Sequence, residues 1–422
     1  MELVGKGSQR KEDAMITIRD KKDCCGCWAC ENVCPKHCIE MKEDFEGFRY
    51  PVVDEEACID CGLCEKVCPI LNVEKEKPFA QTAFLLQHKD KQVLRDSTSG
   101  GAFTALGEWV ISQGGVVFGA AFTDGFVVKH VMVDKVEDLW RFRNSKYVQS
   151  QIGDSYSICK EKLRGGVIPV LFSGTPCQIE GLLRYLRKPY PNLLLVDVVC
   201  RAVPSPLLLR KYIEYRKANS ASAIRNIRFR DKHYGYQYSS FTFAHENDKE
   251  DYHRGVESDP YLRAFFSNTS VRPSCYECRF KKRYRVSDLT IWDCFQPDSF
   301  GVDKLEYDFS YGVTRVLVHS DKGREAMENI RQYAAIKEID TEKAVRGVRE
   351  MVECVPMNAR RPDFFRDLDS KGFERTTNKY FPVTIKVRAE RLIRVSFFKL
   401  GIYYAAKKLF KVFYKNKKNQ KS

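Results

Sequence analysis

Residues 24 to 68 contain the same cysteine spacing twice, and no other feature constrains this chain as strongly. Each copy reads Cys-x2-Cys-x2-Cys-x3-Cys-Pro, and the copies comprise Cys24, Cys27, Cys30 and Cys34, then Cys58, Cys61, Cys64 and Cys68. Thiolates at this spacing surround three corners of a cubane iron–sulfur cluster, and the fourth cysteine ligates the neighbouring cluster. The alternatives are a zinc site or disulfides, but zinc prefers two separated pairs of ligands.

Two 4Fe-4S clusters are predicted with crossed ligation, in which the fourth cysteine of each run binds the cluster of the other run. One would be held by Cys24, Cys27, Cys30 and Cys68, and the other by Cys58, Cys61, Cys64 and Cys34. The segment resembles bacterial two-cluster ferredoxins, so we expect the chain to transfer electrons one at a time.

The bulk properties indicate a soluble globular protein of more than one domain. The chain has 422 residues, of which 43% are hydrophobic and 30% are charged. Its seventeen cysteines, without an apolar leader of the secretory kind, predict a cytoplasmic protein that uses thiols for metal. No apolar run reaches the about 18 residues that span a bilayer.

The net charge of +15 is concentrated at the C-terminal end. Residues 386 to 422 contain twelve Lys or Arg and a single acid, Glu390. The remainder of the chain is nearly balanced, which argues against nucleic-acid binding.

The hydrophobic pattern divides the chain into six segments. An α+β ferredoxin-like domain is predicted first, beginning with a strand at 15–18, and an α/β domain with a mixed sheet follows. Apolar runs at 167–172 and 193–199 predict buried parallel strands, and helices alternate with them. The predicted segments are a disordered leader (1–14), the ferredoxin-like domain (15–72), a linker (73–81), the α/β domain (82–335), a helical or irregular extension (336–384) and a basic helical tail (385–422).

Four further cysteines follow strands or lie in turns of the α/β domain. Cys177 and Cys200 follow the two apolar runs, where the carboxyl ends of parallel strands place ligands. Cys275 and Cys278 form a lone Cys-x2-Cys pair. Together these thiols would complete a third four-thiolate site, with Cys294 as an alternative ligand. The remaining cysteines, interpreted as buried small hydrophobes, are Cys25, Cys38, Cys159 and Cys354.

The ordered motifs of this region resemble the coenzyme F-420 hydrogenase/dehydrogenase beta-subunit family. They are STSGG (97–101), SKYVQS (145–150), LFSGTPCQIEGL (171–182), the stretch 200–206, FRDKHYG (229–235) and RPSCYEC (272–278). The resemblance implies that the α/β domain binds FAD and a 4Fe-4S cluster. It also implies an FAD pocket lined by Ser99, Gly100, Gly101, Lys146, Thr175 and Gln178.

Two departures from the family pattern concern the substrate. Arg201 replaces a histidine of the family pattern, so a permanent charge stands where a proton could be exchanged. Trp292 and Gln296 replace two glycines, which prevents a close approach of backbone to a ligand. These changes leave the predicted electron-transfer residues intact and alter the part of the pattern that concerns the substrate.

These features favour an iron–sulfur flavoprotein oxidoreductase. Its expected partners are a redox protein or reduced ferredoxin, and a small-molecule or deazaflavin substrate. The alternatives are a non-catalytic electron-transfer subunit and an accessory protein of surface polysaccharide biosynthesis. No catalytic residue follows from the sequence.

The basic tail predicts a helix that contacts the inner face of a membrane. Helical spacing places large apolar residues on one side and lysines on the other. Before residue 405 the second side is apolar as well, with Ile393, Phe397, Leu400 and Tyr404. A helix docked on the protein body is the alternative. The predicted apolar side comprises Val395, Phe398, Ile402, Leu409 and Phe413.

Overall fold

A computed structural model describes residues 15–303 and 305–403. The predicted leader at 1–14 and the part of the tail beyond residue 403, including Leu409 and Phe413, lie outside the described residues.

The N-terminal unit is a β-hairpin flanked by two short helices. Antiparallel strands β1 (Ile39–Glu43) and β2 (Arg49–Val53) form the hairpin, and helices α1 (Ala29–Val33) and α2 (Leu63–Lys66) each lie within one cysteine run. The unit is the small α+β domain that the cysteine repeat predicted.

The strand predicted at 15–18 does not form. The backbone N–H of Ile16 donates to the Cys64 Sγ atom at 3.4 Å. The hydrogen bond to sulfur uses a donor that a strand would have given to a neighbouring strand.

An eight-stranded mixed sheet organises the larger domain. Its four central strands run parallel, and the outer pairings are antiparallel. The central strands are β4 (Val116–Phe122), β6 (Val170–Gly174), β7 (Leu193–Val198) and β11 (Leu289–Cys294). The apolar runs predicted as parallel strands form β6 and β7. The spatial order is β13 (Ala334–Ile339), β3 (Thr82–His88), β12 (Val313–Val318), β11 (Leu289–Cys294), β7 (Leu193–Val198), β6 (Val170–Gly174), β4 (Val116–Phe122) and β5 (Val128–Val133).

Helices cover both faces of this sheet, as the alternating pattern predicted. Leu106 of α4 (Ala102–Ser112) and Met327 of α9 (Asp321–Asn329) pack in one core cluster. Ile179 and Leu182 pack in the cluster on the other face, together with Ala29 of the N-terminal unit. The helices up to α9 are α3 (Lys91–Asp96), α4, α5 (Ser155–Lys162), α6 (Pro176–Leu186), α7 (Pro206–Ala218), α8 (Pro260–Phe266) and α9.

A second sheet of three strands carries an aromatic core. Strands β8 (Ile224–Asp231), β9 (Ser240–His245) and β10 (Tyr252–Arg254) are antiparallel in the order β10-β9-β8. Tyr212 of α7 stacks on Phe373 at 4.6 Å between ring centroids, so the C-terminal helices close this core.

The C-terminal region is mostly helical, but β13 crosses the boundary predicted at residue 335. This strand pairs with β3 and therefore belongs to the main sheet. Among the described residues, no helix is both long and apolar enough to cross a lipid bilayer. The helices after β13 are α10 (Thr341–Val345), α11 (Arg349–Val352), α12 (Arg361–Tyr380), interrupted at Gly372, and α13 (Ile385–Lys399).

Candidate functional site

Two cysteine-lined cavities lie in the N-terminal unit. The cavity that we call site A has a volume of about 330 Å³, and the one that we call site B has about 340 Å³. Each cavity draws its cysteines from both runs, as crossed ligation requires. The predicted ligands lining site A are Cys24, Cys27, Cys30 and Cys68, and those lining site B are Cys34, Cys58, Cys61 and Cys64.

A third thiol-lined cavity, site C, opens at the carboxyl edge of the main sheet. Its volume is about 520 Å³, and its predicted ligands are Cys177, Cys200, Cys275 and Cys278. All four sulfur-bearing residues line the one cavity although they come from distant parts of the chain. The donor set fits an iron–sulfur cluster, because thiolates are the usual ligands of these clusters.

The first turn of α6 presents Cys177 to site C. Strand β6 ends at Gly174, and Thr175 and Gln178 form a reciprocal capping box that starts the helix. Pro176 occupies the first helical turn, where a missing N–H costs nothing. The strand-to-helix turn thus fixes the position of the thiol.

The other cysteines differ from one another. Cys294 packs in a separate apolar cluster with Val313 and does not line site C, so it is not placed to replace a ligand there. Cys159 is fully buried, as expected. Cys354 is exposed, so its interpretation as a buried hydrophobe was wrong; it follows helix α11, which leaves its thiol at the surface.

Cys25 and Cys38 are buried, but each also lines a thiol cavity. Cys38 lies in site B, 3.3 Å from the sulfur of Cys34. Cys25 lines both site A and site C, so it separates the two cavities. The sequence spacing did not indicate this position, because Cys25 lies beside a ligand rather than in the repeat.

Burial favours the protonated form of most of these thiols. It raises the pKa of Cys200 to about 11 and the pKa values of Cys68 and Cys278 to about 12. Cys177 differs, because a hydrogen bond involving the Cys25 thiol lowers its pKa to about 7. Metal binding requires thiolates, so cluster assembly would release protons here.

The predicted flavin residues fall into two groups. Ser99 and Lys146 lie in neighbouring loops, joined by a hydrogen bond of 3.1 Å between Thr98 Oγ1 and Ser145 Oγ. Thr175 and Gln178 lie beside site C instead, where Thr175 Oγ1 is 3.1 Å from the Cys177 sulfur. The six-residue segment 145–150 runs from the first group to the second, where Gln178 donates to Ser150 Oγ at 3.0 Å. Its five Cα-to-Cα steps span at most ~17 Å.

Gly100 and Gly101 are explained by packing within the fold. A Cβ at Gly100 would lie 2.3 Å from the Leu86 carbonyl oxygen, and Gly101 has a φ of +77°. These glycines let the loop cross β3 and begin α4. Neither glycine needs a ligand to account for it.

Two half-buried lysines, Lys146 and Lys232, flank the first group, and we call them the lysine pair. Lys146 Nζ donates to the carbonyls of Arg141 and Arg143 at 2.7 and 2.8 Å. Lys232 Nζ donates to the carbonyls of Leu94 and Ser99 at 2.6 and 3.2 Å. Neither ammonium has a carboxylate within 4.0 Å among the described residues, although Asp96 and Asp293 lie nearby.

Burial lowers the pKa of each of these lysines to about 7. Arg228 also lowers the pKa of Lys146. For Lys232, the Asp293 carboxylate raises the pKa and Arg230 lowers it, so burial remains the dominant cause. An anionic ligand would reverse this effect. Lys232 belongs to the motif FRDKHYG, but no sequence pattern indicated that this lysine lies beside Ser99.

The two departures from the family pattern lie near site C and the lysine pair. Arg201 lines site C and donates to Asn268 Oδ1 at 2.8 Å. Trp292 is covered by Arg315, whose guanidinium carbon lies 5.2 Å from the ring centroid. The next residue, Asp293, pairs with Arg230 at 3.0 Å.

Two family models match segments of this chain. Residues 169–344 match a family model described as the C terminus of the coenzyme F420 hydrogenase/dehydrogenase beta subunit, and residues 23–71 match a 4Fe-4S dicluster domain. The comparison with curated proteins found no match. The motif resemblance and the iron–sulfur interpretation of the N-terminal unit are therefore confirmed.

A solved structure is also similar to this chain. It is a chain of the F420-reducing NiFe hydrogenase complex from Methanosarcina barkeri, studied by xenon derivatization, with 17% identity and a TM-score of 0.44. The match covers 71% of this chain and 90% of that chain. The chain is therefore similar, over residues 23–71, to 4Fe-4S dicluster domains and, over residues 169–344, to the C terminus of the coenzyme F420 hydrogenase/dehydrogenase beta subunit.

Proposed function

We propose that the protein is an iron–sulfur flavoprotein oxidoreductase that relays electrons between three 4Fe-4S clusters and FAD. The observation that carries this proposal is the arrangement of sites A and C, which share the wall residue Cys25. The lysine pair is joined to site C by the segment 145–150. A cluster relay next to a cationic flavin site is suited to interconverting one-electron and two-electron chemistry.

Each of sites A, B and C would hold one cluster through its four cysteines. The surrounding protein would fix the position of the cluster and its electrostatic environment. Lys281 contributes at site C, since its ammonium donates to the carbonyls of Cys200, Arg201 and Glu350. These bonds fix the loop that carries Cys200. The nearby positive charge also favours thiolate ligands.

The proposed flavin site uses the lysine pair for the anionic part of FAD. Two half-buried ammonium groups that donate to backbone carbonyls leave positive charge that an anion would neutralise. Ser99, Lys146, Thr175 and Gln178 then lie along the path from this anion site to site C, so an extended flavin could reach both ends. Gly100 and Gly101 would shape the loop without contacting the cofactor.

Electrons would enter from a redox protein at site B. Cys61 of site B is exposed, whereas Cys27 and Cys30 of site A are buried. A surface cluster suits exchange with an external donor such as a reduced ferredoxin. The same feature supports the alternative function, a non-catalytic electron-transfer subunit docked on another enzyme.

Anaerobic purification with cofactor analysis tests the proposed function. We expect about twelve iron and twelve sulfide per chain, with one FAD. Turnover of a small electron acceptor by the isolated protein would favour the enzyme over the docked subunit. Iron for two clusters only, with no flavin after reconstitution with FAD, would contradict the proposal.

Flavin affinity should depend on pH through the lysine pair. Each free-protein pKa lies at about 7, and a bound anion raises it. Both ammonium groups are therefore charged below this pH, and affinity falls as pH rises above about 7, by up to about tenfold per pH unit for each lysine. Titration of FAD into flavin-free protein at pH 6 to 9 measures this. If the affinity for FAD did not change between pH 6 and pH 9, this prediction would be contradicted.

We further propose that α13 attaches the protein to an anionic membrane surface. The predicted apolar side is only partly available, because Phe398 packs on the Tyr234 ring, 5.8 Å between centroids. The opposite side is exposed, with basic residues on both flanks. Its apolar residues and exposed fractions are Ile385 (86%), Leu392 (64%), Ile393 (51%) and Leu400 (69%).

Removal of this exposed apolar stripe should weaken membrane binding. A Leu392→Ser, Ile393→Ser, Leu400→Ser variant should bind anionic liposomes at least tenfold less, because apolar burial and about 1 kcal/mol per nearby cation act together. Co-sedimentation compares it with the full-length protein and a 1–384 truncation. Val167→Ser is the matched control, since Val167 is 82% exposed elsewhere. Equal binding by all four proteins would contradict membrane attachment through α13.

A further inference from the structure

Three arginines are almost completely buried, and one of them has no acidic partner. Arg285 pairs with Asp197 at 3.0 Å, and Arg361 forms a two-pronged pair with Glu46 at 2.7 and 2.5 Å. Arg272 is the most buried of the three, at 1% exposure. Within the described part of the chain, no carboxylate oxygen lies within 4.0 Å of its guanidinium.

The Arg272 guanidinium contacts the first cysteine of site A. Its Nε donates to the Cys24 carbonyl at 2.8 Å, and its Nη2 lies 3.5 Å from the Cys24 sulfur. The remaining donors reach the Arg49 carbonyl at 3.0 Å and the Gln149 Oε1 atom at 2.8 Å. The ring of Tyr50 lies 4.3 Å from the guanidinium carbon.

The backbone around the Arg272 guanidinium leaves space for this side chain. Gly26 lies directly against the guanidinium, and a Cβ there would come within 2.8 Å of Nη1. Arg272 also stands three residues before Cys275 of site C, on a backbone anchored by its N–H to the Val203 carbonyl. The side chain therefore reaches from the segment that carries site C into the wall of site A.

An arginine cannot discharge by losing its proton, so an unpaired buried guanidinium is strongly unfavourable. Neutral carbonyls and an amide satisfy its hydrogen bonds but not its charge. A thiolate-ligated iron–sulfur cluster is anionic, and a cluster at site A would place negative charge next to Arg272. The positive charge of Arg272 and the negative charge of a cluster at site A would therefore neutralise one another.

We infer that Arg272 is the counter-charge of the cluster at site A and raises its reduction potential. A nearby cation stabilises the extra electron of the reduced cluster, and net charge and hydrogen bonds to sulfur are established determinants of cluster potential. Arg272 is thus a positioning and tuning residue. The inference rests on the proposed function, because it requires a cluster at site A.

EPR-monitored redox titration of the full-length, cluster-loaded protein tests the inference. Arg272→Met removes the charge, and Arg272→Lys retains it. Gln149→Glu places a carboxylate beside the arginine, and Gln149→Leu removes the same amide without adding charge. We expect Arg272→Met and Gln149→Glu to lower the midpoint potential of the same cluster, and Arg272→Lys and Gln149→Leu to lower it less.

Iron content separates the possible outcomes. Full iron with unchanged midpoint potentials in Arg272→Met and Gln149→Glu would overturn the inference and leave the proposed function intact. Loss of site A iron in Arg272→Lys as well as in Arg272→Met would show that Arg272 is needed for the structure of site A. That result would also overturn the inference. Wild-type protein lacking iron at site A would instead refute the proposed function.

Discussion

Replacement of Cys275 by serine should lower the iron content of the anaerobically prepared protein from about twelve to about eight atoms per chain. Cys275 lines site C together with Cys177, Cys200 and Cys278, and it lines neither site A nor site B. One cluster should therefore be lost while the dicluster domain keeps both of its own. Iron and sulfide analysis with EPR of the dithionite-reduced protein measures the loss.

Cys354→Ser is the matched control for this change. The Cys354 sulfur lies 3.5 Å from the Cys278 carbonyl oxygen, close to site C, but its thiol is exposed and lines none of the three cavities. Its iron content should stay at the wild-type value. If Cys275→Ser retained all the wild-type iron and EPR signals, site C would not be a cluster site.

Replacement of both members of the lysine pair should remove the flavin. Each ammonium would make charge-assisted hydrogen bonds to an anionic cofactor, worth about 1.5–3 kcal/mol, so each of Lys146→Met and Lys232→Met should weaken FAD binding by about 10- to 100-fold. The double variant should be isolated without flavin but with its full iron content. Flavin absorbance and fluorescence titration provide the measurement.

Lys89→Met controls for the loss of a lysine that caps carbonyl groups. Lys89 Nζ donates to the carbonyls of Arg331 and Gln332 at 2.9 and 3.1 Å, and its side chain is exposed and held by a segment outside the flavin loops. Its FAD affinity should equal that of the wild type. Stoichiometric flavin in the double variant would place the flavin elsewhere.

The sequence predicted the features that depend on local patterns. The cysteine repeat specified the crossed lining of sites A and B, because spacing alone determines which thiols a tight loop can present. Apolar runs of strand length predicted β6 and β7, and strand ends predicted the edge where Cys177 and Cys200 lie. The capping box at Thr175 and Gln178 is likewise a local signal.

Features that depend on contacts between distant segments were not predictable. Strand β13 pairs with β3 across more than two hundred residues, and no local pattern indicates that pairing. Arg272 and Lys232 acquire their importance from contacts with distant segments, Arg272 with Cys24 and Lys232 with Ser99, which the sequence does not show. The exposed side of α13 depends on the docking of Phe398, since both sides of that helix are apolar in sequence.

Anaerobic reductive titration of the full-length protein, after reconstitution with iron, sulfide and FAD, tests the electron relay most directly. Three clusters accept one electron each and FAD accepts two, so full reduction should require about five electron equivalents per chain. Bleaching of the flavin band should accompany loss of cluster absorbance. Complete reduction by about two equivalents, without a flavin band, would leave only the dicluster domain active and would contradict the proposed relay.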